Sequence, residues 1–116
     1  MSDVDVERLR TLLERWQRGE LSASEVHESA EAMWEAGDWP EYPPDDHRAI
    51  PVEVLSQLDI LNQQLIVPGD VPEMISFLDT RAGEEAGAWE RWRHYWEAVD
   101  YDERAAVLSG QPPYAV

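Results

Sequence analysis

Cysteine is missing from all 116 residues, which excludes disulfides, thiolate metal sites and cysteine nucleophiles. Lysine is missing too, so all nine basic residues are arginine. Phenylalanine occurs once, against six tryptophans. No apolar run reaches the roughly 18 residues that a spanning helix needs, so no membrane span is expected. The opening Met1-Ser2-Asp3-Val4-Asp5 is acidic and has no apolar stretch, so a secretory signal is not expected. The expected location is the cytoplasm, and the lack of cysteine agrees with a reducing compartment.

The shortage that shapes the chain is of positive charge in one stretch. From Glu20 to His47 there are nine acids and no Lys or Arg. From Glu20 to Asp79 there are 14 acids against Arg48 alone, a net −13 out of the formal −16. The other eight arginines lie in Arg8–Arg18 and Arg81–Arg104. Such a field repels nucleic acid and anionic membrane, and favours a basic protein surface as partner. Hydrophobic residues make up 43% of the chain, enough for a core in spite of the charge. The length fits one helical domain spanning residues 1–116.

Apolar spacing predicts an all-α fold of five to six helices. Leu9, Leu12, Leu13 and Trp16 share one face of a first helix over about Asp3–Arg18. Its acids are at the start and Arg15 and Arg18 at the end, which suits the helix dipole. Gly19 stands where a left-handed residue closes such a helix. Ser22 and Glu25 form a capping box for a second helix, with Leu21 and Val26 at staple spacing. That helix should run to Ala36, with Val26, Ala30, Met33 and Trp34 inward and Glu28, Glu31 and Glu35 outward. Glu31 and Glu35 are like charges one turn apart, which weakens the helix slightly.

A proline-rich acidic loop is expected from Gly37 to Ile50, stiffened by Pro40, Pro43 and Pro44. Pro51 should open the third, central helix, with Val54, Leu55, Leu58, Leu61 and Leu65 as its stripe. Val67-Pro68-Gly69 breaks it. Asp70 and Glu73 then suggest a capped start for a fourth helix carrying Val71, Met74, Ile75 and Leu78. Arg81–Ala88 is ambiguous, because Gly83 and Gly87 each weaken a helix there by about 1 kcal/mol. The fifth helix brings Trp89, Trp92 and Trp96 to one core-facing stripe ending near Val99. Asp100 and Glu103 cap a short sixth helix that ends at Gly110, and the Pro112-Pro113 tail is expected to be extended.

Candidate chemistry is sparse. His27-Glu28-Ser29-Ala30-Glu31 has the spacing of half a zinc helix, with Glu31 where a second His would stand. His47, after Asp45 and Asp46, could complete a metal-dependent hydrolase site with His27 and Glu31. Paired carboxylates are too numerous to mean acid–base catalysis, and no Gly-x-Ser-x-Gly turn exists for a serine nucleophile. No catalytic residue, cofactor or metal is therefore assigned. A third reading makes the chain a regulatory or structural subunit whose Trp face contacts an oligomer partner.

The run Leu12-Leu13-Glu14-Arg15-Trp16-Gln17-Arg18-Gly19-Glu20-Leu21-Ser22-Ala23-Ser24-Glu25-Val26, followed by Met33-Trp34, resembles the opening of small helical bacterial immunity proteins of the colicin D immunity type. The resemblance spans residues 12–34, about a fifth of the chain. It implies a helical fold and an acidic surface that blocks a basic nuclease toxin.

Together these readings make the chain an acidic binding protein masking a basic partner. The expected contact residues are Glu28, Glu31, Glu35, Asp38, Trp39, Glu41, Tyr42, Asp45 and Asp46. The carboxylates would steer the encounter, while Tyr42 would add buried area to the contact. Trp39 lies on no helical face, and either docks on the core or contacts the partner.

Overall fold

A computed structural model describes residues 4–114. The acidic opening Met1, Ser2 and Asp3 and the final Ala115 and Val116 lie outside the described residues. The fold is all-α, as the spacing predicts, with no strand among the described residues. The described residues form seven helices, α1 (Val6–Gln17), α2 (Ala23–Glu35), α3 (Ala49–Asp59), α4 (Leu61–Gln64), α5 (Val71–Leu78), α6 (Glu85–Glu97) and α7 (Tyr101–Leu108). A 3-10 turn, Pro68–Asp70, leads into α5. The radius of gyration, 13.9 Å, is that of one compact body of this length.

Local signals hold where they are strong. Asp5 caps α1 by accepting from the Arg8 N–H at 3.0 Å. Gly19 sits at φ +78°, and the Glu20 N–H returns to the Arg15 carbonyl at 2.9 Å, closing the helix. Ser22 and Glu25 make the reciprocal box at 3.0 and 3.1 Å. The Ser22 contact also holds the Glu25 carboxyl below its ordinary pKa. Asp100 caps α7 through the Glu103 N–H at 3.0 Å.

The count exceeds the expected five to six because the third helix breaks at Ile60, whose backbone leaves the helical region (φ −116°, ψ 26°). The break frees the Asp59 carbonyl, which accepts from His27 Nε2–H at 2.9 Å and ties α3 to α2. The single turn of α4 then ends on Leu65, a leucine at φ 54°. A left-handed leucine costs about 1–2 kcal/mol. Its side chain is buried and its carbonyl is held by Arg104, so the surroundings impose the conformation. α3 also starts at Ala49, two residues before Pro51. Pro51 occupies the third helical position, where its missing N–H would have had no partner in any case.

One core joins all the long helices. Leu9, Leu13, Val26, Ile50, Leu55, Leu58, Leu61 and Met74 are completely buried in it. α2 lies along α3, while the short α5 touches α1, α3 and α6 and so links the two halves. The central position expected of α3 is thus shared with α5. Phe77 of α5 stacks on Trp92 of α6 at 4.2 Å and takes the edge of Trp89 at 5.0 Å.

Asp70 departs from its expected role. It caps no helix with Glu73. It is fully buried, and four donors converge on its carboxylate. These are the Val67 N–H at 2.9 Å, the Tyr95 hydroxyl at 2.5 Å, and two Arg104 N–H groups at 2.6 and 2.8 Å. The tail is not extended either. It turns at Gln111, and the Tyr114 hydroxyl donates to the Ile66 carbonyl at 2.6 Å. One polar network therefore fastens α6, α7 and the tail to the segment Leu65–Asp70.

This network sets an alkaline limit. Burial, then the Asp70 contact, pushes the Tyr95 hydroxyl up to about 12. Burial, then the charge of Asp70, does the same for Tyr114. A raised folded pKa means the tyrosines stabilise the fold fully below their ordinary value of 10.0 and lose that contribution as pH climbs toward about 12. Urea denaturation across that window should show a falling midpoint. The fall should flatten in Tyr95→Phe/Tyr114→Phe, and an equally steep fall there would refute the assignment.

Candidate functional site

The acidic run starts at Glu20, which pairs with Arg15 and Arg18, and continues along α2 and the loop to α3. Glu28, Glu31 and Glu35 recur at i, i+3 and i+7, so the helix places them on one stripe. Glu28 and Glu35 are exposed, as are Asp38, Glu41 and Asp45 in the loop. These five carboxylates have no cationic partner among the described residues. Glu31 lies 3.6 Å from His27 Nδ1.

A residue that the sequence does not single out extends this face. Asp59, at the end of α3, has its carboxyl pKa raised by partial burial, then by the charge of Glu31 and, more weakly, of Glu35. Like charges from two helices therefore meet there, with only His27 opposing them. No local pattern marks Asp59, because the meeting depends on how α2 lies along α3.

Three expected contact residues have partners inside the chain. Asp46 is held by Arg48, whose backbone N–H and Nε donate at 3.0 Å and whose Nη2 donates at 2.7 Å. That contact lowers the Asp46 pKa to about 2. Arg48 also sits 4.6 Å over the Tyr42 ring. Trp39 takes the first of its two expected fates. It is half-buried against the core, 6.0 Å from the Trp34 ring, and its indole N–H donates to the Trp34 carbonyl at 2.7 Å. It thereby covers the end of α2.

Gly37 makes room for this ring. A Cβ at residue 37 would lie 2.0 Å from the Trp39 ring, so the residue is glycine for space and not for its backbone angle. Gly37→Ala should expel Trp39 and destabilise the domain by about 1–3 kcal/mol. Adding Gly37→Ala to Trp39→Ala should cost little more than Trp39→Ala alone, as thermal melts of the cycle would read. Full additivity would mean the two do not communicate.

The loop crosses from the α1–α2 side to α6. Its far end is tethered where His47 Nδ1 meets Glu85 Oε2 at 2.8 Å. Glu85 is buried in the first turn of α6 and also accepts from the Gly83 N–H. The hydrogen bond from His47 is the first cause of a lowered Glu85 pKa.

That pairing corrects the metal reading. Among the described residues no three His, Asp or Glu side chains come together as a metal site. His27 is bound to Asp59 through Nε2, and His47 belongs to Glu85. His27, Glu31 and His47 therefore form no common centre.

Beside the loop, a groove of about 1010 Å³ runs between α3 and α6, with Pro44 at its edge. Trp89, Trp92 and Trp96 line it, together with Glu53, Glu90 and Glu97. The sequence expects all three indoles in the core, but only Trp92 is buried. Trp89 and Trp96 pack against the core from outside and stay half-buried. Phe77 packs on Trp89 and Trp92, Trp96 packs on Trp92 and Tyr95, and all three indoles border the groove. The excess of tryptophan over phenylalanine was the one signal for it.

The class defined here is a small all-α acidic domain with a carboxylate-rich loop beside an aromatic groove. No family model, curated protein or solved structure matches the chain. No helix among the described residues is long and apolar enough to cross a membrane.

Proposed function

We infer that this chain is a binding protein that masks a basic surface on another protein, in the manner of an immunity inhibitor acting on a bacterial nuclease toxin. The observation that carries the reading is the set Glu28, Glu35, Asp38, Glu41 and Asp45, which has no counter-charge within the described chain. The arginines nearest in sequence neutralise other acids of the run. Arg15 and Arg18 are on Glu20, and Arg48 is on Asp46. A fully self-neutralised bundle would have brought arginines to these five carboxylates as well. The resemblance of residues 12–34 to colicin D-type immunity proteins points to a toxin as the partner's class.

Glu31→Arg tests the reading. It replaces a repulsion with Glu35 and Asp59 by attraction, so the isolated domain should gain about 0.5 kcal/mol. The complex with a partner recovered from the native host should weaken. If the variant binds that partner undiminished, the acidic stripe is only a solvated surface.

A further inference from the structure

Glu53 is a half-buried carboxylate set into the aromatic groove. Trp92 Nε1–H donates to its Oε2 at 3.0 Å, and the Ser56 hydroxyl, which donates to the Glu53 backbone carbonyl at 2.8 Å, lies 3.4 Å from its Oε1. The side chain is thus held in place, yet no cation of this chain reaches it among the described residues. The one arginine lining the groove, Arg93, is paired with Glu97 at 3.7 Å. Around Glu53 lie indole rings, which attract cations to their faces. Two further indole N–H groups, on Trp89 and Trp96, are buried without an acceptor.

We propose that the groove seats an arginine side chain from an extended segment of a protein partner, with Glu53 as its anchor. The flat guanidinium suits both a carboxylate and an indole face, where an ammonium matches only the charge. Pro44 joins the groove to the acidic loop, so one basic partner could cover both surfaces. The proposal takes the partner's positive charge from the masking function above and adds the position of its anchor.

The test uses the intact chain and two capped tripeptides, acetyl-Gly-Arg-Gly-amide and its uncharged citrulline counterpart. The indole N–H resonances of Trp89, Trp92 and Trp96 should move on titration with the arginine peptide at millimolar concentration. They should stay in place with citrulline. Glu53→Gln keeps an acceptor for Trp92 and removes only the charge, so its melting temperature should match the parent while arginine-peptide binding weakens about tenfold. Equal shifts with citrulline, undiminished binding in Glu53→Gln, or no shift at all would overturn the proposal.

A variant with Glu28, Glu35, Asp38, Glu41 and Asp45 changed to amides separates the groove from the acidic stripe. It should keep the indole shifts. Their loss would mean that the stripe, not the groove, holds the peptide. Retained indole shifts with partner binding insensitive to this variant would leave the groove standing and remove the masking role of the stripe.

Discussion

Arg104→Ala should cost this domain about 3–5 kcal/mol, a large share of the stability of any single domain. Asp70 has no exposed surface, and two of its four donors come from the Arg104 guanidinium. Removing that group leaves a carboxylate in the interior with the Val67 N–H and the Tyr95 hydroxyl alone. Those two bonds do not replace a full counter-charge. The Leu65 carbonyl would lose its donor as well, at the point where the backbone is left-handed. The damage should spread along α7 and the tail, because Arg104 and Tyr114 fasten them to residues 65–70.

Urea titration would read the total loss, and amide exchange in α7 would locate it. A loss below about 1 kcal/mol would place this pair in the weak class of exposed ion pairs. Replacing both partners by apolar residues of similar volume should recover most of the stability. The penalty lies in the uncompensated charge and not in the absence of an ion pair.

The second large effect concerns the encounter with the partner. Converting Glu28, Glu35, Asp38, Glu41 and Asp45 to amides should slow association by about 10- to 1000-fold at low ionic strength. Dissociation should change much less, since exposed rim charges act mainly on the on-rate. Added salt should slow the parent protein in the same way, with a steep dependence that the variant lacks. Stopped-flow mixing at several salt concentrations would measure both. A parent rate indifferent to salt would remove steering from the mechanism. Asp46 is left out of the set because Arg48 already neutralises it, and its amide variant is expected to bind like the parent.

Helix grammar was legible in the sequence because each signal is completed within a few residues. Ser22 needs only Glu25, Gly19 needs only the preceding turn, and Asp100 needs only Glu103. Structure departs from sequence pattern where a nearby partner competes with a distant one. Asp70 looked like a cap for Glu73, and a guanidinium 34 residues away won it. His47 looked like a partner for His27, and a glutamate 38 residues away took it. The stripe of the third helix ran on through Leu61 and Leu65 without showing the break at Ile60. Leu61 is buried beyond the break, where an unbroken stripe would also place it, so the apolar pattern does not mark the break.

By itself, the sequence determined the helical class, the caps at Gly19, Ser22 and Asp100, and a stretch of acids with no base among them. Tertiary structure alone decided which acids stay unpaired, where Asp59 joins them, and which tryptophans keep a face to solvent. The reason is range: a cap closes within one turn, whereas charge pairing and burial depend on distance through space between elements far apart along the chain.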